Sequence, residues 1–161
     1  MAKTNTTNTE VNEMEVQETV KKEAVNILDL LLGADIEKIE LPTKQVEITR
    51  LSAIYGAPFV VTCKALTPEK YEEVQDMAVA VKGKDVDLDV SLMQTLTVIE
   101  GVVDADGKPL MKNKDLMAKF KAQTPKELTK KIFLSGELTN LYGEIGKLTG
   151  FSDTAIAEVK N

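Results

Sequence analysis

The clearest pattern in the sequence is an alternation of apolar and more polar side chains over residues 58–65, which is the period of a β-strand with one buried face. A helix start follows directly, because Thr67 is a good N-cap and Pro68 suits the first helical position. Apolar residues then recur every three or four positions, and Gly83 favours a C-terminal stop. The sequence therefore predicts a strand joined at once to a capped helix.

A second alternation, over residues 44–50, predicts another strand. A short connection with the turn signal Tyr55-Gly56 separates the two strands, so the simplest arrangement is an antiparallel pair. Two strands alone are marginally stable, so helices must cover one of their faces. The residues predicted for the core are Val46, Ile48, Phe59, Val61, Cys63, Tyr71, Val74, Ala78, Leu96, Ile99, Leu141 and Ile145.

The rest of the chain is predicted to be mostly helical. An acidic loop, KDVDLD, is followed by apolar residues at helical spacing from Leu88 to Val103. Asn113 is a cap for a short helix, and Thr124 opens a capping box for another. A last apolar stripe runs over residues 138–148 and ends at Gly150. The predicted fold class is α+β, predominantly α-helical, with a small antiparallel hairpin packed by several helices.

Four segments are predicted along the chain. Residues 1–13 form a polar leader that we expect to be disordered. Residues 14–33 form an N-terminal amphipathic helix, and residues 34–151 form the α+β domain. Residues 152–161 are a C-terminal tail that could add a short amphipathic turn of helix.

The end of the N-terminal helix, ILDLLL at residues 27–32, offers more apolar surface than a single buried stripe needs. One hypothesis is that this helix is a detachable arm that contacts a partner helix or a second copy of the chain. Its contact residues would be Ile27, Leu28, Leu31 and Leu32. The alternative is that both sides of the helix pack within the domain, because leucine runs are in protein cores more often than in interfaces.

The composition excludes several classes of protein. The net charge is −6 and the chain has one arginine, so nucleic acid is not an expected partner. No apolar run approaches the roughly 20 residues of a membrane helix, and no signal region opens the chain. Residues 84–107 hold 1 basic and 6 acidic side chains, whereas residues 108–131 hold 8 lysines and 2 acidic ones. These segments are either solvated helix faces or a charge-complementary docking surface.

No motif in the sequence predicts catalysis, a metal site or a cofactor. Histidine is absent, and Cys63 lies on the predicted buried strand face, where a structural thiol is expected. The acidic series from Asp85 begins like a calcium loop, but Val90 stands where the turn glycine belongs. Gly146-Lys147 lacks the glycine and the hydroxyl residue of a phosphate loop. We therefore predict a protein that is not an enzyme and has no cofactor.

Several segments of the chain follow one another in a characteristic order. They are ILDLLLGADIEKIELPTK, EITRLS, GAPFVVTCKALTPEKYEE, VIEGVV and LSGELTNLYGEIGKLTGF, and together they cover roughly residues 27–151. None of them is a catalytic signature. Their order resembles that of the XkdN-like tail assembly chaperones of tailed phages and of phage-derived, PBSX-type elements. The specificity of the resemblance comes from their order and spacing.

The resemblance implies a non-enzymatic protein of the host bacterial cytoplasm. Such chaperones bind the tape measure protein and keep it soluble while tube subunits polymerise, and the finished tail does not contain them. Many are also made in a frameshift-extended form that recruits the tail tube protein. The alternative is a structural tail or neck subunit that stays in the particle. Self-association is a further expectation, whereas a membrane or nucleic-acid partner is not.

Overall fold

The computed structural model describes residues 25–160, and these fall into two compact units that divide between Glu40 and Leu41. The predicted polar leader and residues 14–24 of the predicted N-terminal helix lie outside the described residues. In the first unit, helix α1 (Ile27–Gly33) begins at the cap Asn26, whose side chain accepts a hydrogen bond from the backbone N–H of Leu28. The helix ends at Gly33, the predicted stop, and a 3₁₀ turn follows.

The second unit is α+β and mostly helical, as the sequence predicts. Its strands are β1 (Thr43–Glu47), β2 (Val60–Lys64), β3 (Val79–Lys82), β4 (Asp85–Leu88) and β5 (Val102–Val103). Its α-helices are α2 (Thr49–Tyr55), α3 (Pro68–Ala78), α4 (Val90–Gly101), α5 (Lys114–Lys119), α6 (Pro125–Ile132) and α7 (Ser135–Gly146). A 3₁₀ turn at Leu110–Lys112 and a π-helical turn at Lys147–Phe151 complete it.

The main sheet has the order β1-β2-β5, and both pairings are antiparallel. Val61 and Cys63 are buried while Val60 is exposed, so the predicted face of the second strand is the correct one. The buried core residues include eight of the predicted twelve. The other four, Val46, Phe59, Tyr71 and Leu96, are only partly buried and pack against the core from its edge.

The predicted first strand is too long at its C-terminal end. It stops at Glu47, and the segment predicted as a turn forms α2 instead, with Gly56 in the left-handed conformation at its end. The short helix is favoured because it buries Leu51 and because Arg50 forms an ion pair with Glu137 on α7. The alternation over residues 44–50 could not predict these two contacts, because they involve parts of the chain that are distant in sequence.

The predicted helix that ends at Gly83 is wrong only over its last turn, residues 79–82. Helix α3 stops at Ala78, and β3 then pairs antiparallel with β4. Strand β4 lies in the segment that was predicted to be an acidic loop. Gly83, with φ of 68°, supplies the left-handed residue of the two-residue turn between them. Two β-branched valines at alternate positions favour a strand once a partner strand is present.

Several helix boundaries are confirmed by their caps. The side chains of Thr67, Asn113 and Thr124 each accept a backbone hydrogen bond at the start of α3, α5 and α6. The predicted helix over Leu88 to Val103 is shorter, because Leu88 belongs to β4 and Val103 to β5. The predicted C-terminal turn of helix is absent from residues 152–160, which follow Gly150 at φ of 95°.

Candidate functional site

An apolar groove between α3 and α4 is the strongest candidate site in the second unit. It has a volume of about 550 Å³, within the range typical of ligand pockets. Buried Val74 and Ile99 form its floor. Met77, Leu92 and Leu96 line it and are accessible to solvent, and Met77 is 64% exposed. The groove can therefore take up apolar side chains from a partner.

The helical repeat explains why these residues share one groove. The lining positions on α3 are Lys70, Glu73, Val74 and Met77, and those on α4 are Leu92, Leu96, Ile99 and Glu100. Each set is spaced by three or four residues, so each forms one stripe along its helix. Lys112 and the start of α6, at residues 124–126, complete the lining.

Charges of both signs lie on the rim of this groove. The Lys70 Nζ atom lies 2.6 Å from an Oε atom of Glu73, and Lys112 forms an ion pair with Glu100. The hydrogen bond to Glu73 raises the pKa of Lys70. Lys126 forms no ion pair with another described residue. An apolar centre with a charged rim is the usual composition of a protein-binding surface.

A second groove, of about 480 Å³, lies between β1 and α7 and is more polar. Its lining includes Glu137 and Glu144, and both are already paired within the unit. Glu144 accepts a hydrogen bond of 2.7 Å from Lys44, and this contact lowers the pKa of the Glu144 carboxyl. Because its charged groups have internal partners, this groove is the weaker candidate for a docking surface.

Within residues 25–160, no group of three or more His, Cys, Asp or Glu side chains is placed to hold a metal ion. Cys63, the one cysteine of the chain, is fully buried. Burial raises the pKa of the Cys63 thiol to about 11, with a smaller contribution from Glu144. A thiol in this state is a poor nucleophile at neutral pH. The prediction that Cys63 lies on the buried face of its strand is confirmed.

The four residues predicted to contact a partner lie together on α1. Their exposed fractions are 70% for Ile27, 60% for Leu28, 63% for Leu31 and 76% for Leu32. None of them belongs to the α3–α4 groove. Their role in binding stays a prediction.

Sequence reasoning missed the groove because it assigned its residues to the core. Val74, Leu96 and Ile99 were predicted to be buried, and Leu96 is only partly so. The sequence signal that could have indicated the groove was the width of the apolar stripe on α3. Met77 adds exposed apolar surface to this stripe beside the buried residues Val74 and Ala78.

No helix in residues 25–160 combines the length and the hydropathy needed to cross a membrane.

Comparison with known proteins gives one family match and one fold match. Residues 28–161 match the sequence family described as phage XkdN-like tail assembly chaperone protein. The match extends past residue 151, where the resemblance seen in the sequence ends. The crystal structure of the protein YqbN is similar with a TM-score of 0.50 and 22% sequence identity. The similarity covers 68% of this chain and 87% of YqbN, and it supports the fold alone. No curated protein sequence matches this chain.

Proposed function

Since this chain belongs to the XkdN-like family of phage tail assembly chaperones, we propose that it binds the tape measure protein of its own phage. In this proposal the bound tape measure protein stays soluble while tail tube subunits assemble around it. The chaperone acts in the host bacterial cytoplasm and leaves before the tail is finished. It works by binding alone and needs no catalysis.

The observation that carries the proposal is the apolar groove between α3 and α4. A tape measure protein is expected to be mostly long amphipathic helix, which aggregates unless its apolar faces are covered. An amphipathic helix binds a groove through apolar anchors spaced by three or four residues. Met77, Leu92 and Leu96 offer apolar surface to such anchors, and the mixed charges on the rim suit the polar flanks of a helix.

Helix α1 supplies a second proposed contact. Ile27, Leu28, Leu31 and Leu32 are apolar and exposed, and they would cover either a helix of the tape measure protein or a second copy of this chain. A frameshift-extended form of the chain would bring the tail tube protein to the same complex.

The test is co-expression of this chain with its tape measure protein, followed by affinity capture and by measurement of the soluble fraction of the tape measure protein. We expect a complex and more soluble tape measure protein. Met77→Glu places a charge in the groove and should abolish both effects. Ile54→Glu is the matched control, because Ile54 on α2 is 63% exposed, as Met77 is 64% exposed, and lies outside the groove.

Two results would overturn parts of this proposal. If the wild-type chain gives neither a complex nor more soluble tape measure protein, the chaperone function is wrong. If Met77→Glu binds as well as Ile54→Glu, the groove is not the binding site. Mass spectrometry of purified tails addresses the alternative function, since a structural tail or neck subunit would be present there at a fixed copy number.

A further inference from the structure

The β3–β4 hairpin carries an apolar face that the other described residues cover only in part. The register pairs Val79 with Leu88 and Val81 with Val86, so these four side chains project from the same face. Their exposed fractions are 41%, 42%, 71% and 72% in that order. The opposite face carries Ala80 with three charged residues, which are Lys82, Asp85 and Asp87.

This face is unusual for a hairpin in water. The hairpin forms a separate two-stranded sheet, and two strands alone are marginally stable without packing against another element. Contiguous exposed apolar side chains on a folded protein mark an interaction surface more often than isolated ones do. Here the register makes the patch contiguous, because each apolar residue lies opposite another apolar residue.

The charges along the hairpin differ between its tip and its base. Lys82, Lys84 and Asp85 surround the turn, which gives the tip a net positive charge. Asp76 and Asp89 are exposed at the base, where the backbone N–H of Asp89 donates to the carbonyl of Ala78 at 2.9 Å. The base is therefore negative and the tip is positive.

We propose that a second copy of this chain covers the hairpin face, with the two hairpins packed face to face about a twofold axis. In this arrangement the tip of each hairpin lies over the base of the other, so Lys84 in the turn of each copy approaches Asp76 and Asp89 at the base of the other. A twofold contact uses the same patch on both subunits and closes after two copies. This inference goes beyond the proposed function, because it concerns the chain alone and a surface other than the groove.

The interface would be small, since each copy contributes four aliphatic side chains and a few charges. Interfaces below about 1,200 Å² of total buried surface are typical of weak and transient complexes. We therefore expect a monomer–dimer equilibrium that shifts with protein concentration.

Sedimentation of the purified full chain over a dilution series tests the apolar part of the proposal. The wild-type chain should show reversible dimerisation, and Val81→Glu should raise the dissociation constant by about tenfold or more. Ile54→Glu is again the control, because it places the same charge on an exposed apolar position of α2 and should leave the constant unchanged. Thermal melts should confirm that both variants remain folded.

A charge exchange tests the orientation. Asp76→Lys and Lys84→Glu should each weaken dimerisation, because each puts like charges at both ends of the twofold interface. The double variant restores opposite charges at both ends, so it should dimerise about as well as the wild-type chain. Lysine at position 76 also suits the C-terminal turn of α3, so loss of the fold is not expected.

The proposal is wrong if the wild-type chain stays monomeric throughout the dilution series, or if Val81→Glu and Ile54→Glu dimerise equally. Additive weakening in the double charge variant would exclude the antiparallel orientation. A Val81→Glu chain that dimerises normally but no longer captures the tape measure protein would assign the face to that partner instead. The sedimentation measurements use the purified chain alone, so their failure is separate from failure of the chaperone function.

Discussion

Gly101 lies in the last turn of α4 at the point where this helix passes closest to α7. A Cβ atom at this position would lie 2.6 Å from Cδ1 of Ile145, and Ile145 is itself fully buried. A contact that short cannot be tolerated without movement of one of the helices or a change of the isoleucine side chain. Gly101 therefore sets the spacing between the two helices.

We predict that Gly101→Ala lowers the free energy of unfolding by about 1–3 kcal/mol, because the added methyl group overpacks the α4–α7 contact. Urea denaturation monitored by circular dichroism measures the change. Gly143→Ala is the control, since Gly143 lies within α7 and a Cβ atom there meets nothing within 4 Å. That substitution should raise the free energy of unfolding by about 0.5–1 kcal/mol. Equal effects at the two positions would contradict the close approach.

Cys63 and Gly101 differ in how far the sequence predicts their place in the structure. The alternation around Cys63 placed it on the buried face, and the structure confirms this because the periodicity of a strand is a local property. The role of Gly101 depends on which helix crosses α4 and where, and no local pattern contains that information. The groove was missed for the same reason, since its apolar residues look like core residues until the neighbouring helices are placed.

At the scale of elements, a bidentate ion pair ties α2 to the junction of α6 and α7. Arg50 donates to the two Oε atoms of Glu137 at 2.6 and 2.9 Å, and to the carbonyl of Ile132 at 2.8 Å. Glu137 also accepts a hydrogen bond from the backbone N–H of Leu134. The contact with Arg50 is the main cause of the lowered pKa of Glu137, and the bond from Leu134 lowers it further.

This ion pair predicts a pH-dependent effect of Glu137→Gln. Because the folded-state pKa of Glu137 is lowered, its contribution to stability is complete above the unfolded-state pKa of about 4.3 and is lost as the pH falls through the folded-state value. The variant should melt at a lower temperature than the wild-type chain at pH 7, and the difference should shrink below about pH 4.

Thermal melts between pH 7 and pH 3 measure this difference. Glu72→Gln is the control, because Glu72 is exposed on α3 and forms no ion pair with another described residue. A difference between Glu137→Gln and the wild-type chain that stays constant over this range would show that the carboxylate charge is not what stabilises the contact.

The sequence predicted where elements begin better than where they end. Thr67 marks the start of α3 through its own side chain, which is a local signal. The end of α3 depends on Val81, which lies three residues after Ala78 and so continues the helical stripe, but also two residues after Val79 and so fits a strand. The partner strand β4 decides this, and its alternation in VDL was hidden by its aspartates.

At the scale of the whole molecule, the second unit contains its own hydrophobic core. The buried core cluster runs from Ile48 to Ile145, and among residues 25–160 all its members lie in the second unit. The α+β class followed from the sequence because the strand and helix periods alternate along the chain. The sequence did not predict which apolar surface stays exposed, because that depends on all the packing contacts of the folded unit.

We predict that deletion of residues 1–33 leaves the second unit folded with little change in melting temperature, because its core is complete without them. If α1 is a binding arm, the shortened chain should capture less tape measure protein in the co-expression experiment. A full-length chain with Leu28→Glu and Leu31→Glu is the matched variant and should show the same loss without a change of chain length. A shortened chain that unfolds, or one that still binds fully, would refute the arm.

Arg50 is the one arginine in the chain, and it lies within α2 with its guanidinium group held by Glu137 and Ile132. An arginine-specific protease therefore has a single cleavage site in the whole polypeptide. Cleavage there requires α2 to leave its helical conformation, so when opening is fast relative to cleavage the rate of the cut reports the population of the open form. A free energy of opening from limited digestion that is smaller than the global free energy of unfolding would show that this contact opens locally.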